Sequence, residues 1–375
     1  MVRPSGVATS AVHSRVIELG VGRSAPLPRR GARARRSHRA ARYSTLAVSL
    51  TAAIGFVAFY QPPPHLTARP FDAQESGGSV LMPVPDATPS RDAFGHSGAV
   101  QMRFALPGDP VQYPLQVYGD PTALRYVWER LSDSAEVGVP HELVSDTLVA
   151  PPTAGFYRLV LVRDGFHRLV DGLTLAVLVP FQEKHGPTLD GYRIGIFPGE
   201  RHHTEGLPEG FVRITPNVAD LSITKHLRLG DFISRDGQTT WPRFAAVDPK
   251  VLDKLELVVE QVANMRRRRS AADTGQVQVL LNVHSAFRTP LYNRHVARAA
   301  RDSRHQYGDA VDVAIDANGD GRLTARDTRL VAQAVDSVER AYPDLVGGMG
   351  VYTGRAYNHP YVHIDARGER VRWHS

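Results

Sequence analysis

The sequence predicts an α+β protein in several parts, and three observations predict it. Five short apolar or alternating runs between residues 97 and 182 are separated by Gly, Pro and Asp turns, the pattern of strands. Beyond residue 190, strand-like runs accompany apolar positions at helical spacing. Near the start, an uncharged stretch at 44–60 follows an arginine-rich tail.

Residues 1–43 hold ten Arg and one Glu, whereas the rest of the chain holds 35 basic and 37 acidic residues. The net charge of +7 therefore belongs to the tail, and a nucleic-acid-binding fold is not implied. Residues 44–60 would reach about 25 Å as a helix, a marginal membrane span. The preceding arginines place the tail in the cytoplasm and everything after residue 60 outside it. A signal anchor fits better than a cleaved signal peptide, the alternative that would release the chain. The basic region is long for a signal peptide, and no Ala-x-Ala site closes the apolar run. Zero Cys fits an exported protein that does without disulfides.

Residues 61–95 are rich in Pro, Gly, Ser and Asp and read as an extended linker. The β-rich part, 97–182, has its runs at 100–106, 111–118, 124–131, 155–162 and 173–179. The stretch 152–162 is similar to the penultimate strand of immunoglobulin-like sandwiches, which suits a spacer or packing module. His202 and His203 fall in a loop between segments 191–198 and 208–215, and an exposed loop is expected there. Leu252, Leu255, Val258, Val259 and Val262 predict an amphipathic helix over 249–267. The basic run Arg266 to Arg269 reads as its solvated end. Residues 277–283 read as a buried strand leading to Arg288.

The densest chemistry lies in two short stretches. Ser303, His305, Gly308 and Asp312 stand in one, and Tyr361, His363 and Asp365 in the other. Asp312 interrupts the apolar run 310–315, where a carboxylate is costly to bury unless it is paired or bound to metal. Catalytic zinc sites take three ligands from His and Asp or Glu and leave a position open. His305, Asp312 and His363 meet that requirement, and Gly308 lets the backbone turn between the first two. A second pattern follows at 316–327. Asp316, Asn318, Asp320, the carbonyl of Arg322 and Asp327 match calcium-loop spacing, with Gly321 at the turn position. Residues 328–342 read as an amphipathic helix, with Leu330, Val331, Ala334, Val335 and Val338 on one stripe.

The order Ser-x-His-x-x-Gly-x-Ala-x-Asp, then a strand carrying a His, resembles the zinc D-alanyl-D-alanine carboxypeptidase and murein endopeptidase family. That family shares its fold with lysostaphin-type enzymes and the hedgehog signalling domain. Ser285, Ala286, Phe287, Arg288, Thr289 and Asn293 resemble its Ser-Gly-Tyr-Arg-Thr/Ser…Asn segment, with Ala286 in place of Gly. Residues 221–232 resemble its opening segment, and Arg370 to Trp373 resembles the ending of periplasmic members. The resemblance covers about 190–375. It implies a zinc peptidase domain on an antiparallel sheet flanked by helices, with His305, Asp312 and His363 as Zn²⁺ ligands. Arg288 would hold a substrate carbonyl or carboxylate and stabilise the developing oxyanion. Many relatives carry an acid three positions before the last zinc His, where this chain has Pro360. Asp365, two residues from His363 and so on the same side of a strand, is the expected base, with His359 the alternative.

The expected function is peptidoglycan peptide hydrolysis, as a murein endopeptidase or a D,D- or L,D-carboxypeptidase. The chain would be anchored in a bacterial inner membrane with its catalytic part in the periplasm, or periplasmic after signal cleavage. Peptidoglycan stem peptides would be its partners, and Ca²⁺ a structural ion beside Zn²⁺. The alternative is an inactive, peptidase-like wall-binding or structural envelope protein.

Overall fold

The expected runs between 97 and 182 become strands in the computed structural model, which describes residues 84–90, 94–113, 115–144, 147–201, 206–269, 279–353 and 359–375. The tail 1–43, the expected span 44–60, His202, His203 and most of the linker lie outside these residues. Among the described residues, no helix is long and apolar enough to cross a membrane.

The runs fall on Met102–Ala105, Pro110–Gln112, Leu115–Tyr118, Arg125–Arg130, Gly155–Arg163 and Thr174–Val177. Glu136–Glu142 and Phe166–Leu169 are further strands without a buried apolar face, so nothing in their composition marks them. The six-stranded sheet runs Met102–Ala105, Thr174–Val177, Gly155–Arg163, Arg125–Arg130, Glu136–Glu142, with Phe166–Leu169 paired to Gly155–Arg163. Met102–Ala105 lies parallel to Thr174–Val177, and the other pairs are antiparallel. The end of the expected linker is corrected: Asp86–Pro89 is a strand, antiparallel to Leu115–Tyr118.

The second half is α+β. Helix α1 (Pro249–Arg269) buries Val251, Leu252, Leu255, Val258, Val259 and Val262. It also buries Asp253, Lys254 and Glu256, because chain segments cover its polar side. The Asp253 carboxylate accepts the His96 and Ser97 backbone N–H groups, and Glu256 accepts from Thr224 and His226. Strands β1 (Leu281–Ser285), β2 (Ala310–Ile315), β3 (Gly348–Tyr352), β4 (Tyr361–Asp365) and β5 (Val371–His374) form one sheet in the order β1-β2-β4-β3-β5. All its pairs are antiparallel except β3 with β5. Helix α2 (Ala325–Ala341) starts three residues before the expected 328, where Thr324 and Asp327 form a capping box.

Side chains alternate across a strand. Val311, Val313, Val362 and Ile364 are buried on the face that receives α1 and α2. Asp312, His363 and Asp365 therefore project from the other face. One hydrophobic core joins the β-rich part, through Leu175 and Val177, to Phe197, Phe211, Val258 and Val362, and residues 78–375 form one compact unit.

Candidate metal centre

Sheet register brings the site together. Ser285 lies opposite Asp312, Asp312 opposite His363, His363 opposite Gly350, and Gly350 opposite Trp373. His305 arrives from a different direction, on the turn Arg304–Tyr307 that Gly308 closes at φ 76°. A Cβ on Gly308 would sit 2.2 Å from the Ala246 carbonyl oxygen, so only glycine fits. The His305 carbonyl accepts the Arg288 N–H at 3.0 Å, which ties the two motifs.

Three ligand atoms converge. His305 Nε2 is 3.1 Å from His363 Nδ1 and 3.1 Å from Asp312 Oδ1, and His363 Nδ1 is 2.9 Å from Asp312 Oδ1. The three residues are 2, 5 and 6% exposed for His305, Asp312 and His363. They are the group of three His, Asp or Glu able to hold a metal ion among the described residues. A tetrahedral site with bonds of about 2.0–2.2 Å spaces its ligand atoms about 3.3–3.6 Å apart, so a few tenths of an ångström separate this triangle from a metal site.

The outer nitrogens make the same case. His305 Nδ1 lies 2.6 Å from the Ala286 carbonyl and donates to it. His363 Nε2 lies 3.1 Å from Asp365 Oδ2 and donates to it. Both inner nitrogens then present lone pairs toward the Asp312 carboxylate, an arrangement that needs a proton or a cation between them. Such outer partners orient metal-binding imidazoles. Burial lowers the His305 pKa against the pull of Asp312. Burial also disfavours charge on His363, but the bonds to Asp312 and Asp365 outweigh it and raise its pKa. Burial opposes ionisation of Asp312 too, yet the two imidazoles hold its carboxyl well below the usual range.

Arg288 lies beside the ligand triangle. Its Nη2 bonds the second Asp312 oxygen and its Nε donates to Ser285 Oγ at 2.7 Å. Asp365 is not placed as a base. It is fully buried behind His363, where it also accepts from the Gly348 N–H at 2.6 Å and from the Arg367 guanidinium. Its oxygens meet Nε2, the imidazole nitrogen turned away from Asp312, so it orients a ligand and does not reach the ligand triangle. His359 is exposed, next to Pro360.

The calcium-spaced loop is ordered by its own hydrogen bonds. Asp316 accepts the N–H groups of Gly319 and Gly321 at 2.8 and 2.9 Å. Asn318 accepts from Asp320 N, and Asp320 accepts from Arg322 N. The Asp327 carboxylate accepts from Ala317 N, Asn318 N and Thr324. The loop's acids form no group of converging metal ligands among the described residues. Spacing alone points to calcium there.

Several site residues escaped the sequence. His284 sits at a bulge in β1, between Val283 paired to Val313 and Ser285 paired to Asp312, and its ring lies 5.5 Å from that of Tyr361. Bulges re-aim side chains beside active sites; its place next to Ser285 was the available signal. Burial lowers its pKa, and Asp312, Arg235 and His359 act on its charge. Trp373 packs against His363 at 5.1 Å between ring centroids and donates its Nε1–H to the Tyr352 hydroxyl at 2.8 Å. Behind the site, fully buried Lys254 donates at 2.7 Å both to Glu339 and to the Asp365 carbonyl. A scan against models of known protein families finds no match to this chain, and no curated protein matches it.

Proposed function

We propose that the chain is a zinc peptidase that hydrolyses peptide bonds in peptidoglycan during cell-wall remodelling. The observation that carries this reading is the convergence of His305 Nε2, Asp312 Oδ1 and His363 Nδ1 within 3.1 Å at a cleft that Arg288 also lines. Two imidazoles and one carboxylate suit Zn²⁺, which when bound would polarise a carbonyl and acidify water. The family motifs around these residues support peptidoglycan peptides as the substrate.

The residues of the chain divide the remaining work. Ala286 and Asp365 hold the two imidazoles in the tautomers that leave Nε2 of His305 and Nδ1 of His363 free. Arg288 offers a permanently charged fork to a substrate oxygen, and the same fork bonds Asp312. Proton transfer falls to an imidazole in place of the carboxylate that Pro360 displaces: His284, whose pKa burial lowers, or His359 beside it. A single-pass anchor at 44–60 would hold the catalytic part outside the cytoplasm, where peptidoglycan lies. The parallel strand Met102–Ala105 beside Thr174–Val177 supports an immunoglobulin-like module at 97–182, and the shared core suits a packing partner better than a spacer.

The test combines metal analysis with muropeptide release from purified sacculi. One zinc per chain and release of peptide fragments are the expected results. The same donor set holds iron(II) in other proteins, and iron at one per chain would overturn the assignment. Zinc without release would favour the inactive, wall-binding reading, to which the burial of Asp365 lends weight.

A further inference from the structure

The cleft above the metal centre has a volume of about 510 Å³, and four arginines line it: Arg288, Arg298, Arg304 and Arg367. Three are committed. Arg288 bonds Asp312, Arg304 bonds Asp309 and Arg367 grips Asp365. Arg298 is exposed and has no hydrogen-bond or ion-pair partner among the described residues. The acids that line the same cleft are engaged elsewhere. Asp312 is held by His305, His363 and Arg288, and Asp302 accepts the Tyr307 hydroxyl.

The backbone of Arg298 is unusual. Its φ is 60°, in the left-handed region where residues other than glycine are uncommon. Its surroundings hold it there. Asn293, only 4% exposed, donates Nδ2 to the Ala300 carbonyl at 2.9 Å and so closes the loop that carries Arg298. Ala299 N donates to the Val296 carbonyl at 3.2 Å, and Gln306 Nε2 donates to the Arg301 carbonyl at 3.0 Å. Glycine would take this conformation without strain. A long cationic side chain kept at such a position, on the wall of a cleft, points to use of the side chain itself.

We propose that Arg298 is the specificity residue of the cleft: its guanidinium binds a carboxylate that the peptide substrate carries beside the scissile bond. The inference rests on the peptidase reading for its substrate class. It goes further in requiring an anionic substrate and in naming the cation that selects it. Two sources can supply that carboxylate, the peptide's own C-terminus or an acidic side chain. Arg suits either, because its planar fork meets two oxygens at once.

The experiment measures binding of short peptides to the full metal-loaded chain by calorimetry, with hydrolysis followed in parallel. The probes are diacetyl-Lys-D-Ala-D-Ala, its C-terminal amide, and amidated peptides carrying Glu or Gln as the neighbouring residue. The wild type should prefer one acid over its neutral partner by about tenfold or more, and the preferred pair identifies the source. Arg298→Gln should abolish that preference, leave metal content unchanged, and raise KM far more than it lowers kcat. Arg298→Lys should keep part of the preference. Arg298→Gly relieves the backbone, so it should fold at least as well as wild type and still lose the preference. Equal binding of acids and amides by the wild type, or a preference that survives in Arg298→Gln, would overturn the inference. A wild type that prefers acids but cleaves nothing would remove the peptidase reading and leave the anion site standing.

Discussion

Gly350 lies directly beneath the indole of Trp373, and the pair forms the wall against which His363 rests. The two residues are opposite one another in parallel register, and a Cβ on Gly350 would stand 2.3 Å from the Trp373 ring. The absent side chain lets the indole lie across the strand and reach the His363 ring. Gly350→Ala should therefore push Trp373 away and cost about 1–3 kcal/mol by overpacking. Thermal melts and Trp373-dependent fluorescence would register it. An unchanged melt and unchanged fluorescence would show that the indole does not depend on Gly350.

Removing a ligand should remove the metal. His305→Ala leaves two donors where three act together, and metal affinity should fall by at least about a hundredfold. Metal analysis after dialysis against a weak chelator checks this. A full complement in the variant would end the assignment of His305.

Asp365 and Arg288 should separate by their readouts. Asp365→Asn weakens the outer hold on His363 and should lower metal affinity by about 10–100-fold. Arg288→Lys should retain metal and lose most turnover, because the charge survives and the paired donors do not. Equal metal loss in both variants would contradict the separate roles.

Lys254 joins the helix layer to the site. Lys254→Met takes one of three partners from the buried Glu339 carboxylate, which keeps Arg372 and the Gly347 N–H, and it frees the Asp365 carbonyl. Loss of one hydrogen-bonding partner from a buried carboxylate that keeps two others costs about 1–3 kcal/mol, read by denaturant unfolding. Metal affinity should fall with it, since the Asp365 backbone loses its anchor. A variant as stable as wild type would show that the pair contributes little.

Acid should weaken the metal-free protein through Asp312 and Asp365. Burial opposes their ionisation, but the imidazoles, joined at Asp365 by Arg367, hold both carboxyls below their usual range. The folded pKa lies under the unfolded value of about 3.9, so the unfolded state binds more protons in the window between them. The stabilisation is complete above that window and is lost as pH falls through it. Asp365→Asn should flatten the acid limb of stability against pH. The same slope in variant and wild type would remove Asp365 from it.

Sequence by itself determined the donor set. His305, Asp312 and His363 stood out because charged or titratable groups inside apolar runs need a partner, and Gly308 marked the turn between two of them. The helical stripe of α1 and the principal strands of the β-rich part were legible for a related reason: burial of one face leaves a period in the chain. Tertiary structure alone decided what those groups face. Placing Asp365 two residues from His363 correctly put it on the same side of β4, but which imidazole nitrogen it meets depends on β2 and β3 packing around that strand. The buried polar face of α1 was invisible because the residues that cover it lie far away in the chain. The β1 bulge at His284, the bare surface of Gly350 under Trp373 and the unclaimed charge of Arg298 have the same origin. Each is a relation between segments that only folding brings together, and a local periodicity carries no record of it.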